Sequence, residues 1–96
     1  MAIKSFAHKG LELLWTKGKV AKLDTKLAPK LKRQLSFLHA MSDISDLSAF
    51  PSWKAHRLSG TSQGRWSIWV TGNWRLTVEW DGQDIHILNL EDFING

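Results

Sequence analysis

The stretch GRWSIWVTGNWRLTVEW, residues 64 to 80, constrains the fold of this chain more than any other part of the sequence. Apolar and polar side chains alternate on both sides of a Thr-Gly-Asn centre, and the stretch contains four of the chain's six tryptophans. Alternation with a period of two is typical of strands with one buried face, and Gly-Asn between two such runs is typical of a hairpin. The stretch therefore predicts two antiparallel strands that bury one face.

The alternation also predicts the register of this hairpin. With a two-residue turn, Val70 would oppose Arg75, and the apolar set of one strand would share a face with the charged set of the other. With a three-residue loop at 71–73, in which Asn73 is left-handed, Val70 opposes Trp74 instead. Burial favours this second arrangement, because a one-residue slip reverses every side chain. The open face then holds Arg65, Ser67, Thr71, Thr77, Glu79 and, across from each other, Trp69 and Arg75.

Two amphipathic helices are predicted before the hairpin. Apolar residues at i, i+3 and i+4 spacing predict a short helix over residues 8–17, which Gly18 ends. Residues 25–41 carry a leucine stripe beside a lysine stripe and predict a longer helix. Its regular part is expected to begin near Ala28, because Pro29 fits only the first turn of a helix.

The remaining segments complete the predicted fold. Residues 2–6 resemble a short opening strand, and residues 42–53 have the composition of a loop with room for one helical turn. Residues 54–60 and 84–90 alternate with a period of two and predict two further strands. Two N-terminal helices packed on a mainly antiparallel twisted sheet make an α+β fold, which we expect to form a single domain over residues 1–96.

The charge of the chain is unevenly distributed. Residues 1–33 carry nine basic and two acidic side chains, a balance of +7, whereas residues 34–96 carry four basic and seven acidic ones, a balance of −3. A basic half of this kind attracts polyanions such as RNA or the ribosome surface. Lys30 and Arg33 on the second helix are the candidates for that contact, and a solvated helix face is the alternative.

Composition also excludes several classes of protein. The chain has no cysteine, so neither disulfides nor thiolate metal sites are expected. It has no apolar run near the roughly 20 residues that a membrane span needs, and its histidines lack the spacing of a metal site. We therefore expect a cytoplasmic protein with no membrane contact, no metal and no cofactor.

The residue types near Arg75 are those that metal-free RNA cleavage requires. The preceding strand offers Lys54, His56 and Arg57, and an acid and an aromatic ring follow near the end of the chain. In such cleavage the ribose 2′-hydroxyl attacks the adjoining phosphate, which needs a base, a cation and an acid. Arginine matches two phosphate oxygens, histidine titrates near neutral pH, and an aromatic ring stacks on a base. A cross-strand role for Arg75, with Glu79, is the alternative.

Three segments in order span nearly the whole chain and share the pattern of a known family. They are MxIKSFxHKGLxLLWxKG at the start, HRLSGTSQGRWSIWVTGNWRLTVEW in the middle and ILNLEDF near the end. This pattern resembles the HigB group of bacterial toxins within the RelE-type superfamily. The resemblance implies a microbial-RNase-like domain that cuts messenger RNA on the translating ribosome and is paired with a HigA-like helix-turn-helix antitoxin.

The resemblance also implies roles for particular residues. By matching position, His56 is the general base or acid, Arg75 binds the scissile phosphate, and Asp92 is a base or orients the imidazole. The residues expected to bind RNA are Lys54, Arg57, Arg65, Trp69, Phe93, Lys30 and Arg33.

Two departures from the family pattern leave three functions open. Relatives place a lysine three residues after the histidine, where this chain has Ser59, and they commonly end Asp-Tyr-His, where it has Asp92, Phe93 and Ile94. Phe93 lacks the phenol hydroxyl, and Ile94 cannot transfer a proton. The chain is accordingly an active ribonuclease with substituted groups, a weakened ribonuclease, or a noncatalytic RNA- or ribosome-binding protein. A gyrase-targeting toxin, as in another branch of the superfamily, is a separate alternative, against which the histidine and the Asn-Trp-Arg match speak.

Overall fold

The computed structural model describes residues 1–58 and 64–93, which form two helices and a four-stranded antiparallel sheet. The helices are α1 (Lys9–Lys17) and α2 (Ala28–Ala40), and the strands are β1 (His56–Arg57), β2 (Arg65–Thr71), β3 (Trp74–Trp80) and β4 (Ile85–Asp92). The strands lie in the order β1-β2-β3-β4, and each pairs antiparallel with its neighbour. The predicted α+β fold is confirmed.

Helix α1 begins one residue later than predicted, because His8 is its N-cap, and it ends at Gly18 as predicted. Nδ1 of His8 accepts a hydrogen bond from the backbone N–H of Leu11 at 3.2 Å. Gly18 adopts the left-handed conformation with φ 63°, and its N–H donates to the Leu14 carbonyl at 3.1 Å. Glycine adopts this conformation without steric cost, so the helix ends there.

Helix α2 begins at Ala28 because Pro29 occupies its first turn, where a missing backbone N–H costs no hydrogen bond. The prediction of a regular helix from near Ala28 is confirmed. Its leucine stripe, Leu31, Leu35 and Leu38, is fully buried in the core. Burial of each such side chain stabilises the fold by roughly 1.5–3 kcal/mol, so the stripe anchors α2 to the sheet.

The segment at residues 2–6 is not the regular strand that the sequence predicts. Ile3 and Phe6 form only isolated parallel bridges to β4. The regular ladder is interrupted at Ile87, which has a left-handed φ of 49° and whose N–H donates to Ser5 Oγ at 2.9 Å. A bulge of this kind leaves one strand residue without its ladder partner, so the opening segment follows β4 without forming a strand.

The connection between α2 and β1 contains more helix and less strand than predicted. Residues 42–53 include two 3₁₀ helices, Ile44–Ala49 and Pro51–Trp53, where the sequence predicts room for one turn. Lys54 then takes a left-handed φ of 48°, which delays extended structure until His56. The predicted strand over 54–60 is therefore wrong at its start, and its last two positions lie outside the described residues.

The strand interiors of the hairpin have the predicted register. Ile68 pairs with Leu76, and Trp69 pairs with Arg75. The apolar residues of both strands consequently share one face, on which Ile68, Val70 and Leu76 are fully buried. This face forms the core together with the leucine stripe of α2.

The turn of the hairpin differs from the prediction. Thr71 pairs with Trp74, and the register shifts between Trp69 and Thr71, so Val70 is the extra residue of a bulge. Gly72, and not Asn73, takes the left-handed conformation, with φ 52°. The predicted three-residue loop with a left-handed Asn73 is wrong, because the bulge supplies the one-residue shift that keeps the apolar sets together. Thr71 consequently shares the face of Trp74.

Neither α1 nor α2, the two α-helices of the described residues, has the length and hydropathy needed to span a membrane.

Candidate active site

The face of the sheet opposite the core, which we call the open face, holds three rows of side chains. Directly paired residues point to the same side of a sheet, so the register defines each row. The upper row is Trp69, Arg75 and Glu91; the central row is His56, Ser67, Thr77 and Asn89; and the lower row is Arg65, Glu79 and His86.

His56 and Arg75, two of the three predicted catalytic residues, lie on this same face. They are one row and two strands apart. A strand spacing of about 4.8 Å and a rise of about 3.4 Å per residue give a Cα separation of about 12 Å. Two long side chains can approach one small group from that distance, so the fold allows both to act on one phosphodiester.

The imidazole of His56 is exposed, and one contact indicates which of its two nitrogens carries the proton. Its Nδ1 lies 3.0 Å from the Lys54 carbonyl oxygen. A carbonyl oxygen only accepts hydrogen bonds, so Nδ1 carries the proton in this contact. In the neutral ring Nε2 is then unprotonated, and it is the nitrogen that can accept a proton from a substrate hydroxyl.

The guanidinium of Arg75 is held at the hairpin turn and stays out of the core. Its Nη1 donates to the carbonyls of Gly72 at 3.1 Å and Trp74 at 3.2 Å. Its Cζ lies 5.7 Å from the ring centroid of Phe93. Among residues 1–58 and 64–93, no carboxylate lies within ion-pair distance of Arg75. Its positive charge is thus available to an anion on the open face.

The third predicted catalytic residue, Asp92, does not share the face of Arg75. Asp92 pairs with Trp74, on the core face, whereas Glu91 pairs with Arg75 on the open face. Sequence reasoning missed Glu91. The alternation in ILNLED could have found it, because Leu90 is buried and its neighbour Glu91 must point the other way.

Glu91 is bonded to two residues of the open face. Its Oε2 forms an ion pair with Nη2 of Arg65 at 3.0 Å and also accepts a hydrogen bond from Thr77 Oγ1. Thr77 and Ser67 are only 1% and 0% exposed, although both lie on the open face. Ser67 Oγ has no hydrogen-bond partner among the described residues.

Trp69 brings two predicted RNA-binding lysines to the open face. Lys30 Nζ of α2 and Lys54 Nζ lie 4.6 Å and 5.2 Å from the centroid of its ring. Gln34 Nε2 donates to the Trp69 carbonyl at 3.0 Å and ties α2 to the same residue. An aromatic plane with two ammonium groups is the combination that binds a base beside its phosphate.

The other predicted RNA-binding residues are more scattered. Arg57 pairs with Trp66, so it lies on the core side of the sheet although its side chain is exposed. Arg33 is exposed on α2, where it lines a groove of about 610 Å³ together with Lys30 and Phe37. The register therefore groups Arg65 and Trp69 with His56 and Arg75 but leaves Arg57 apart.

The described residues contain no group of three or more histidine, aspartate or glutamate side chains arranged to hold a metal ion. Ser59 and Ile94, the departures from the family pattern that bear on cation and proton supply, lie outside the described residues.

A family model for the RelE-like toxin HigB of type II toxin-antitoxin systems matches residues 4–93. The chain belongs to the HigB-like toxin family. It is 37% identical over 91 residues to endoribonuclease HigB of Proteus vulgaris, and that alignment covers 95% of this chain and 98% of the relative. The HigB-like match includes His56, Arg75 and both C-terminal carboxylates. A type II toxin is one half of a pair, so HigB-like membership implies an antitoxin partner.

Proposed function

We propose that this toxin is a ribosome-dependent messenger RNA endoribonuclease that cleaves by attack of the ribose 2′-hydroxyl, without a metal ion. Its family and the name of its Proteus vulgaris relative support ribonuclease activity. The observation that carries the proposal is the open face, on which His56 Nδ1 bonds the Lys54 carbonyl and leaves Nε2 toward solvent, and Arg75 has no acidic partner among the described residues. These are a proton acceptor and an anion receptor on one surface.

Each residue then has a role in the reaction. His56 Nε2 removes the proton of the 2′-hydroxyl as its oxygen bonds to phosphorus, and Arg75 binds the phosphate oxygens that gain negative charge. The bond from phosphorus to the 5′ oxygen breaks, and the departing oxygen takes a proton from the imidazolium of His56 or from water, which leaves a 2′,3′-cyclic phosphate and a 5′-hydroxyl. Trp69 and Phe93 stack on the bases on either side of the cut. The family pattern assigns Asp92 as the base or as the residue that orients the imidazole. Asp92 does not share the face of Arg75, so this role is tested separately below.

The Arg75→Ala variant tests the central assignment. Removing one charged donor from a developing phosphorane costs on the order of 100- to 1,000-fold in rate. We expect that loss when cuts in a translated message on purified ribosomes are mapped by primer extension, together with the loss of growth arrest on expression. Lys17→Ala removes the same charge from an exposed position at the end of α1 and serves as the control. Full cleavage by a folded Arg75→Ala protein would remove Arg75 from the mechanism.

The role of Asp92 is tested by comparing Asp92→Asn with wild type in the same assay. If Asp92 is the base or orients His56, the variant loses most of its cleavage rate, and the pH dependence of cleavage changes. If cleavage and its pH profile are unchanged, the carboxylate inferred from the family pattern has no part in the reaction.

A noncatalytic RNA- or ribosome-binding protein is the second candidate function. Phe93 favours it, because this ring next to Arg75 lacks the hydroxyl that relatives carry. A binder protects the message or stalls ribosomes while transcripts stay whole, so primer extension separates the two functions. A gyrase-targeting toxin would instead inhibit supercoiling of plasmid DNA and leave message on ribosomes intact.

We further propose that the partner is a HigA-like helix-turn-helix antitoxin and that the toxin acts in the cytoplasm as a single domain over residues 1–96. Lys30 and Arg33 of α2 are proposed to contact ribosomal RNA, since both lie on the basic part of the chain. Charge reversal at Arg33 is expected to weaken ribosome co-sedimentation and to make the remaining binding less dependent on salt. Unchanged co-sedimentation would place the ribosome contact elsewhere.

A further inference from the structure

Two arginines of the described residues lie on the open face, and one of them, Arg65, has an acidic partner there. Arg75, in the upper row, has no carboxylate within ion-pair distance in the described part of the chain, although it is the cross-strand neighbour of Glu91. Glu91 instead pairs with Arg65, which lies two strands away in the lower row. Glu91 therefore selects the distant guanidinium and leaves the near one free.

This pairing places the Arg65 side chain across the middle of the open face. The lower row and the upper row are separated by the central row, so the Arg65 guanidinium must pass over Ser67 and Thr77 to reach Glu91. Thr77 Oγ1 donates a hydrogen bond to the same oxygen, Oε2. The burial of Ser67 and Thr77 on a face that otherwise points away from the core is consistent with this covering side chain.

The held guanidinium has donors to spare. Arginine presents five N–H donors in a planar fork, and Glu91 engages Nη2 of Arg65. Within residues 1–58 and 64–93, the remaining nitrogens of Arg65 form no hydrogen bond. A carboxylate on one edge of a guanidinium fixes its orientation and leaves the other edge for a phosphate.

The backbone of Arg65 is also close to that of His56, although the guanidinium itself reaches toward β4. His56 pairs with Ser67, and Arg65 is two residues earlier on the same face of β2, which makes the pair diagonal neighbours about 7–8 Å apart. The Leu58 N–H donates to the Arg65 carbonyl at 2.9 Å, so pairing of the two chain segments continues to this position. A phosphate bound by Arg65 would thus lie beside the central row, between His56 and Arg75.

We infer that Glu91 is a positioning residue, which holds the Arg65 guanidinium over the central row as a second phosphate-binding group of the cleavage site. The inference rests on the proposed ribonuclease function and adds a residue pair to it. It also accounts for phosphate binding without the lysine that Ser59 replaces, because Arg65 supplies a second cation on the open face that carries His56. Glu91 acts only through Arg65 and does not touch the substrate.

The test is a double-mutant cycle of Glu91→Gln and Arg65→Ala, with kcat and KM measured for cleavage of a translated message on purified ribosomes. We expect Arg65→Ala to lower kcat/KM by about 10- to 100-fold, the usual cost of a hydrogen bond to a charged group. Glu91→Gln should lower kcat several-fold in the presence of Arg65 and have no further effect in the Arg65→Ala protein. Arg65→Lys keeps the positive charge but not the planar fork of donors, so its kcat/KM should lie between those of wild type and Arg65→Ala.

The matched control is Glu12→Gln, which breaks the exposed ion pair of Glu12 with Lys9 at 3.0 Å on α1 and should leave cleavage unchanged. Thermal unfolding of every variant separates lost folding from lost chemistry, and Arg65→Lys replaces Arg65→Ala if the alanine protein is unfolded. Wild-type rates in Arg65→Ala, or equal effects of Glu91→Gln with and without Arg65, would overturn the inference while the proposed function stands. A wild-type protein that leaves the message whole would overturn both.

Discussion

Gly64, the residue before β2, is the position where a single methyl group is expected to do the most local damage. Its φ is +75°, its carbonyl accepts a hydrogen bond from the Trp80 N–H at 2.8 Å, and a Cβ placed on it would overlap the Trp80 carbonyl oxygen. Gly72 in the hairpin turn has φ +52°, but a Cβ there would meet nothing within 4 Å. Comparison of Gly64→Ala with Gly72→Ala therefore separates the cost of a left-handed alanine from the cost of a steric contact with the backbone of β3.

The expected losses follow from these two environments. An alanine in the left-handed conformation costs about 1–2 kcal/mol, partly offset by about 0.4–1 kcal/mol because the unfolded chain loses entropy. Gly72→Ala should then destabilise the protein by about 1 kcal/mol. Gly64→Ala must also separate its segment from β3, which breaks the hydrogen bond to Trp80 and leaves a donor unpaired for a further 1–3 kcal/mol or so. Its total is about 3 kcal/mol.

Both values can be measured by urea unfolding followed through tryptophan fluorescence. For a domain of this size, 1 kcal/mol corresponds to roughly 4–8 °C in Tm, so Gly64→Ala should lower Tm by at least about 12 °C and Gly72→Ala by about 4–8 °C. Similar losses in the two variants would show that the contact with Trp80 carries no cost and would refute the reasoning. A smaller loss at Gly64 than at Gly72 would refute it outright.

Three further predictions concern pH and the aromatic part of the open face. Burial lowers the pKa of His8, whose neutral Nδ1 caps α1. The contribution of this cap to stability is therefore present above the unfolded-state pKa of about 6.5 and is lost as the pH falls below it. The His8→Asn protein, whose cap does not titrate, should show a smaller fall in Tm than wild type between pH 7.5 and about 5.5. The Asp84 backbone N–H and the His86 side chain lower the pKa of Asp81 to about 2, so its contribution is lost as the pH falls from about 4 through 2, and Asp81→Asn should show a shallower loss of Tm in that range. Trp69→Leu should weaken binding of single-stranded RNA by about 5- to 150-fold in a filter-binding assay, because base stacking is worth about 1–3 kcal/mol, and undiminished binding would exclude a stacking role.

The parts of the fold that were predictable from sequence are those governed by periodicity. The leucine stripe of α2 and the alternation of the hairpin each repeat a single signal over several residues, and burial enforces it. The bulge at Val70 was not predictable, because a bulge and a longer loop produce the same alternation of faces. The choice between them depends on local backbone geometry at Gly72.

The candidate site was predictable to a similar degree. Parity along β2 and β3 was enough to put Arg75 on the open face, and the family pattern supplied His56. The same parity along β4 favours Glu91 over Asp92 as the partner on that face, but the family pattern draws attention to Asp92. The ion pair between Arg65 and Glu91 joins residues two strands and two rows apart, so it depends on the register of β4 and its bulge at Ile87, which no local pattern encodes.

The short β1 has a consequence for solubility as well as for function. Because β1 spans only His56–Arg57, the outer edge of β2 beyond Ser67 has no neighbouring strand among residues 1–58 and 64–93, and an unpaired edge is a template for joining another chain. Gln34 Nε2 donates a hydrogen bond to the Trp69 carbonyl on that edge, and Lys30 and Lys54 place two charges over the indole of Trp69. Lys30 and Lys54, which are proposed to bind RNA, thus also protect this edge from strand addition, and their substitution is expected to change aggregation as well as binding.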